Sequence, residues 1–201
     1  MKDISKKLSK SLTSICLAGT LLAGNSCAKS YESHKIKANS LAVLVIDMQD
    51  YWLGDIDKEE LETELPYQAE VLEYCKNNNI PVFVVEFTNC GHTTDYLKKK
   101  IERLPIRDYV VKNKTNAFEG TELEKRLKEK NVETLILMGV YASACVKETA
   151  KGAINAGFKI ATSKELIADD RHHNKGDTIE WYKEKGVYKD SYKEILSLIE
   201  K

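Results

Sequence analysis

Apolar runs of strand length alternate with helical patterns from residue 39 onward. LAVLVID, at 41–47, is a continuous apolar run, typical of a strand buried on both faces of a parallel sheet. The other predicted strands lie at 81–87, 108–112, 132–140 and 158–163, with a brief one at 187–188.

Helical patterns fill the segments between these runs. Helices are predicted at 58–79, 93–104, 120–131, 143–157, 177–186 and 190–201. An interruption is expected at Pro66 in the first of them, because proline removes a hydrogen bond inside a helix. The alternation predicts the α/β class: a three-layer α/β/α sandwich with a central, mainly parallel six-stranded sheet.

The first 28 residues have the layout of a secretory signal. Several lysines precede an uncharged stretch at 12–23, which is followed by small residues. Cleavage after Ala28 would release a soluble protein, whereas cleavage before Cys27 would expose that cysteine for lipidation. We favour the second route, a bacterial lipoprotein, because polar residues follow Cys27 directly. A tether at 29–39 and a domain at 40–201 would then lie outside the cytoplasm, periplasmic or held at the membrane by a lipid anchor.

The charge pattern excludes one class of partner. The chain of 201 residues has 31 basic and 31 acidic side chains, and no basic cluster is interleaved with aromatic residues. We therefore expect no nucleic acid partner.

Export changes how the cysteines are interpreted. Cys16 belongs to the leader, as does Cys27, which leaves Cys75, Cys90 and Cys145 in the domain. An odd number leaves at least one thiol unpaired within the chain. A disulfide between Cys75 and Cys90 remains open, since spacing alone does not decide pairing.

Three reactive side chains fall at the ends of predicted strands. Cys145 lies where a strand gives way to a helix, and the unpaired N–H groups there would favour a thiolate and an oxyanion. Asp47 closes the first strand and Lys112 the third, so all three should meet at the carboxyl edge of the sheet, where parallel strands end. The alternatives are a buried structural cysteine, a helix-capping aspartate and a solvated lysine.

Three segments in order resemble the isochorismatase-like cysteine hydrolases. VIDMQDYW at 45–52 looks like the family's opening motif, and VVKNKTNAF at 110–118 is similar to its second motif, with Asn116 in place of a serine. GVYASACVKETAKGAINAGF at 139–158 matches the third motif almost throughout. The resemblance covers roughly residues 40–190 and implies a hydrolase of small molecules that assembles as a homo-oligomer.

The resemblance implies an Asp47, Lys112 and Cys145 triad, with Lys114 as the alternative lysine. In this mechanism Asp47 would take the thiol proton, Cys145 would attack a carbonyl carbon, and water would hydrolyse the acyl-enzyme. The family pattern also implies a cis peptide between Val140 and Tyr141, with amides near Tyr141 and at Cys145 binding the oxyanion.

Departures from the family pattern narrow the activity. The segment after the second strand contains His92 but not the Asp-x-His metal motif of nicotinamidases, so we expect no metal and no other cofactor. His172 and His173 are interpreted as loop residues near the rim of the site. Substrate contacts are expected from an aromatic set whose members are Trp52, Phe118 and Tyr141.

The residues favour cleavage of a C–N bond in a small amide, ureide or carbamoyl compound. A vinyl ether hydrolase of the isochorismatase type is the first alternative, although that reaction needs no thiol nucleophile. The second is an exported binding or thiol redox protein on the same fold. The paired Asp47 and Lys112 argue against it, because a binding module needs no base beside its thiol.

Overall fold

The structure, a computed structural model, describes residues 35–170 and 175–200. The expected leader at 1–28 lies outside these residues, as do His172 and His173. None of the helices in the described ranges has the length and apolar character needed to cross a membrane.

Nine strands and seven α-helices make up the described chain. The strands are β1 (Ile36–Lys37), β2 (Leu41–Ile46), β3 (Val82–Phe87), β4 (Arg107–Lys112), β5 (Thr134–Val140), β6 (Lys159–Ser163), β7 (Ile167–Ala168), β8 (Val187–Lys189) and β9 (Ile199–Glu200). The helices are α1 (Asp50–Leu53), α2 (Lys58–Asn78), α3 (Asp95–Ile101), α4 (Leu123–Glu129), α5 (Cys145–Asn155), α6 (Lys175–Lys185) and α7 (Tyr192–Ser197), and a 3-10 turn spans Ala38–Ser40.

The central sheet has the order β4-β3-β2-β5-β6-β8, and every pairing in it is parallel. These are the six strands that the sequence predicts. A seventh, β7, pairs with β5 outside this order and was missed, because two residues are too few to show a period. The pairing places Ile46 beside Gly139 and Phe87 beside Lys112, so the carboxyl ends of these strands meet at one edge.

Helices cover both faces of the sheet, which confirms the three-layer α/β/α sandwich. One face packs Val43 and Val84 against apolar residues of α2, α3 and α7. The other packs Ala42 and Leu44 against residues of α4, α5 and α6. The strands β2 and β5 are buried along their whole length because apolar layers lie on both sides.

The expected interruption at Pro66 is wrong, since α2 continues through it from Lys58 to Asn78. Pro66 lies on the exposed side of the helix, so the carbonyl that loses its partner faces water. The opposite side of α2 buries Val71 and Leu72 in the core, and that packing holds the helix together.

The two ends of the described domain pair with each other. The last predicted helix stops at Ser197, and Ile199 then pairs in parallel with Ile36. The N–H of Ile36 donates to the carbonyl of Leu198 at 2.8 Å. Residues 36–37, expected to be tether, therefore belong to a small two-stranded sheet.

The Cys75–Cys90 disulfide that the sequence left open is not formed. Cys75 is a free, buried thiol on α2, and Cys90 is a free, half-buried thiol in the loop after β3.

Gly139 allows β2 and β5 to approach each other beside the carboxyl edge. Its φ is +132°, and a Cβ at this position would lie 2.0 Å from the carbonyl oxygen of Ile46. We expect Gly139→Ala to lower the free energy of unfolding by about 3 kcal/mol, because backbone strain and overpacking act together.

Urea denaturation followed by circular dichroism measures this loss. Gly120→Ala is the matched control, because Gly120 also has a positive φ, +73°, but opens onto free space. We expect that control to cost about 1 kcal/mol. Equal losses in the two variants would show that the approach of the strands is not the constraint.

Candidate functional site

The carboxyl edge brings together the acid, the base and the thiol. The Lys112 ammonium lies 2.7 Å from Oδ2 of Asp47, and both side chains are almost completely buried. The half-buried Cys145 thiol lies close enough to interact with both of them. The Asp47 carboxylate therefore faces both the Lys112 ammonium and the Cys145 thiol.

Asp47 is the first residue after β2, where the backbone turns sharply. Its φ is +53°, a left-handed conformation that aspartate tolerates better than most residues, and its N–H donates to the carbonyl of Val85 at 2.9 Å. Two residues later, the fully buried Gln49 accepts from the N–H of Phe87 and donates to the carbonyls of Phe87 and Gly91. Gln49 thus ties the end of β2 to the loop after β3. Gln49 lies within the opening motif, but the sequence alone did not indicate this role.

Lys112 reaches Asp47 across an intervening strand. It ends β4 beside Phe87, and its Nζ lies 4.5 Å from the centroid of the Phe87 ring and 3.1 Å from the carbonyl oxygen of Lys114. The alternative lysine, Lys114, comes after the strand and pairs at the surface with Glu119 at 3.4 Å. The structure therefore selects Lys112 as the lysine of the group.

The charges of the group oppose a resting thiolate. Burial and, to a smaller extent, the Asp47 carboxylate raise the pKa of Cys145 to about 12, because the opposing effect of Lys112 is weaker than that of Asp47. Burial also raises the pKa of Asp47, an effect that Lys112 and Cys145 offset only in part. Desolvation and the neighbouring carboxylate therefore both act against the thiolate that the helix start is expected to favour.

The turn before α5 carries the amides that could hold an oxyanion. The peptide bond between Val140 and Tyr141 is cis, at the position that the family resemblance implies. Ala142 N–H donates to the carbonyl of Ala168 at 2.7 Å, and Ser143 N–H donates to Asp169 at 3.0 Å. The amides of Ala144 and Val146 both donate to the Tyr141 carbonyl. Within the described turn, the amides of Tyr141 and Cys145 are therefore the ones left available to bind an oxyanion.

Asp169 and the adjacent strand β7 hold this turn in place through hydrogen bonds. The buried Asp169 accepts from the amide of Ser143 and, at 2.8 Å, from its hydroxyl. Tyr182 on α6 donates to the carbonyl of Ala142 at 3.0 Å. Sequence reasoning missed both residues. An acidic pair directly after a buried apolar segment, in LIADD, was the available signal.

An aromatic wall stands beside the turn. Trp52 packs edge-on against Phe87 and Tyr141, with ring centroids 5.7 and 5.9 Å away. The Tyr141 hydroxyl donates to the Trp52 carbonyl at 2.9 Å and lies 3.2 Å from the Asp55 carboxylate. Phe118 is not part of this wall, because its ring packs against Phe158, which precedes β6 at the opposite edge.

His92, in the loop after β3, contacts a carboxylate. Its Nδ1 is 3.3 Å from Glu86 at the end of β3, and Glu86 also accepts from the amide and hydroxyl of Thr93. Within residues 35–170 and 175–200, no cluster of three or more His, Cys, Asp or Glu residues could hold a metal ion.

Comparisons with known proteins give consistent matches. The isochorismatase domain model matches residues 41–175, a range that contains Asp47, Lys112 and Cys145. N-carbamoylsarcosine amidase of an Arthrobacter species is 27% identical over 197 residues, covering 83% of this chain and 73% of the relative. Nicotinamidase 3 of Arabidopsis thaliana is 27% identical over 172 residues, covering 72% and 82%. The solved structure of N-carbamoylsarcosine amidase from Thermoplasma acidophilum superposes with a TM-score of 0.65 at 18% identity, covering 76% of this chain and 97% of that one.

The charge balance predicts how Cys145 reacts with iodoacetamide. Asp47→Asn removes the carboxylate that raises the pKa of Cys145 and leaves the Lys112 ammonium to stabilise the thiolate. We expect alkylation of Cys145 at pH 7.5 to accelerate about tenfold or more, which corresponds to a fall of one pKa unit. Lys112→Met should slow alkylation, because it removes an ammonium that lowers the pKa of the thiol.

Peptide mapping by mass spectrometry between pH 6 and 10 separates Cys145 from the other thiols. Alkylation of Cys90 on the same samples is the internal control and should not change. Unaltered kinetics at Cys145 in both variants would mean that Asp47 and Lys112 do not control the thiol.

Proposed function

The chain belongs to the isochorismatase family of hydrolases, and we propose that it cleaves a C–N bond of a small amide, ureide or carbamoyl compound through an acyl-enzyme on Cys145. The observation that carries this proposal is the buried Asp47–Lys112 ion pair in contact with a half-buried thiol. A thiol that is protonated at rest needs a base beside it, and Asp47 occupies that position.

The first half of the reaction forms the acyl-enzyme. Asp47 takes the proton of Cys145 as the sulfur attacks the carbonyl carbon, and Lys112 stabilises the developing negative charge. The carbonyl oxygen becomes an oxyanion facing the amides of Tyr141 and Cys145. Asp47 then gives its proton to the nitrogen as the C–N bond breaks, and ammonia or an amine leaves.

The second half releases the product and restores the thiol. Asp47 takes a proton from water, and the hydroxide attacks the thioester carbon. The C–S bond breaks when the oxyanion collapses, and the sulfur recovers its proton from Asp47. No other proton donor is required, because each half-reaction returns Asp47 to the ionised state.

The surroundings of the thiol support a small, planar substrate. The Trp52, Phe87 and Tyr141 rings offer flat surfaces, and the indole N–H of Trp52 is buried without an acceptor among the described residues. A substrate oxygen could satisfy that donor. Two relatives are named as an N-carbamoylsarcosine amidase and a nicotinamidase, and both names describe the cleavage of a C–N bond in a small amide or carbamoyl compound.

Ammonia release from a panel of small amides, ureides and carbamoyl compounds tests the proposal. For the best substrate, we expect Cys145→Ala to abolish turnover and Asp47→Asn to lower kcat by about 10³-fold, as is typical for loss of a general base. The Asp47→Asn variant should therefore alkylate faster while it turns over more slowly, which mere unfolding would not produce.

Cys90→Ala is the matched control and should retain the wild-type rate. Rapid quenching followed by mass spectrometry should detect the acyl group on Cys145. Full activity of Cys145→Ala on any panel substrate, or on a vinyl ether substrate, would contradict the covalent mechanism.

Asp169 should affect kcat through the turn that it holds. Asp169→Asn replaces one of the two oxygens that bind Ser143, so the oxyanion amides lose their alignment. We expect kcat to fall about 10- to 100-fold with little change in KM, because the loss arises mainly in the transition state.

Ser143→Ala is the comparison, because it keeps the bond from the amide to Asp169 and loses only the hydroxyl. We expect kcat of Ser143→Ala to fall about fivefold, because the variant loses one hydrogen bond. Equal losses in the two variants, or a change in KM alone, would show that Asp169 does not position the turn.

A further inference from the structure

A cavity of about 750 Å³ lies between the start of α2, the segment after β6 and the residue pair before α7. Its lining residues are Asp57, Glu59, Glu60, Thr63, Glu64, Tyr67, Lys164, Glu165 and Asp190. Asp47, Lys112 and Cys145 are not among them, so this cavity is separate from the proposed catalytic group. Its size is within the range of small-molecule sites, about 300–1,000 Å³.

The walls of the cavity are strongly acidic. Six carboxyl groups line it, and Lys164 is the one basic side chain among the described lining residues. Acidic groups on an open surface are ordinarily neutralised by water and salt, and such a cluster alone would indicate nothing. A ligand is indicated only if part of the cluster is withdrawn from water.

Glu64 is the carboxyl group of this cluster that is withdrawn from water. It is only 4% exposed, and its Oε2 has no hydrogen-bond partner among the described residues. One turn further along α2, Gln68 donates to the carbonyl of Leu166 at 3.0 Å, whereas its own oxygen is also left without a partner. A buried polar oxygen without a partner is costly, which makes Glu64 a group that a ligand could satisfy.

Tyr67 adds an aromatic surface to the same cavity. Its ring stacks on Tyr192 with a centroid separation of 5.1 Å, so the ring is held in place. Ring faces attract alkylammonium groups, which also suit carboxylates. The described residues form no cluster suited to a metal ion, and this favours an organic cation.

We propose that this cavity binds an alkylammonium compound with two or more amino groups, and that Glu64 is the buried partner of one ammonium. The remaining ammonium groups face the acidic residues of the rim, among them Asp57 and Asp190. The Tyr67 ring contacts the alkyl chain. This site is independent of the C–N hydrolysis proposed above.

Binding is coupled to a proton. Burial raises the pKa of Glu64 to about 9, so its carboxyl group is neutral at pH 7.5 in the empty cavity. The titratable groups around it are the lining acids together with Tyr67 and Lys164. An ammonium placed against Glu64 favours the ionised form, lowers its pKa and expels the proton.

Isothermal titration calorimetry of the full chain with 1,4-diaminobutane and with spermidine tests the site. Titrations at pH 7.5 in phosphate and in Tris, which differ in ionisation enthalpy, count the protons released. We expect saturable binding that releases between half a proton and one proton. Glu64→Gln should weaken binding at least tenfold and abolish proton release, while preserving the fold, because glutamine resembles the neutral acid.

Glu62→Gln is the matched control, since it makes the same substitution on the exposed side of α2, where Glu62 pairs with Lys58. It should leave affinity and proton release unchanged. Asp57→Asn, at the rim, should weaken binding about threefold and keep the proton release, which tests the site even if Glu64→Gln does not fold. Absence of binding, binding without proton release, or equal weakening by Glu62→Gln and Glu64→Gln would overturn the proposal.

Discussion

The ammonium of Lys112 and the carboxylate of Asp47 are both withdrawn from water, and each charge offsets much of the cost of burying the other. An unpaired buried ion costs several kcal/mol, and so the pair requires β2, β3 and β4 to keep one register. Phe87, on the strand between them, faces the ammonium with its ring. The pair is therefore a constraint on the sheet as well as a part of the site, and Cys145 is added to a charge environment that the sheet has already set.

Much of the fold can be predicted from short apolar runs in the sequence. The run at 41–47 predicts a buried parallel strand, and parallel strands bring Asp47, Lys112 and Cys145 to one edge. The choice of Lys112 over Lys114 depended on where β4 ends, which a pattern locates only within a few residues. The pKa values of Asp47 and Cys145 depend on how deeply each group is buried. A sequence pattern does not show how completely a thiol or a carboxylate is desolvated.

Long-range contacts account for what was missed. The two-residue strand β7 has no period of its own, and it forms because Ala168 and Asp169 meet the turn at residues 142–143. Phe118 is the last residue of the second motif, yet its ring packs against Phe158 at the opposite edge, since the chain turns away after β4. Pro66 remains within α2 because one side of that helix is solvated. In each case tertiary packing overrides a local preference.

The protonated state of Cys145 bears on how the protein withstands oxidants. Peroxides and disulfides react with thiolates, and a thiol whose pKa is about 12 contains very little thiolate at neutral pH. In the proposed mechanism Asp47 removes the proton only as a carbonyl carbon arrives, so the sulfur would attack its substrate but resist oxidation between turnovers. The carboxylate proposed to activate the sulfur would then also protect it against sulfenic acid formation and against mixed disulfides, because it raises the pKa of the thiol.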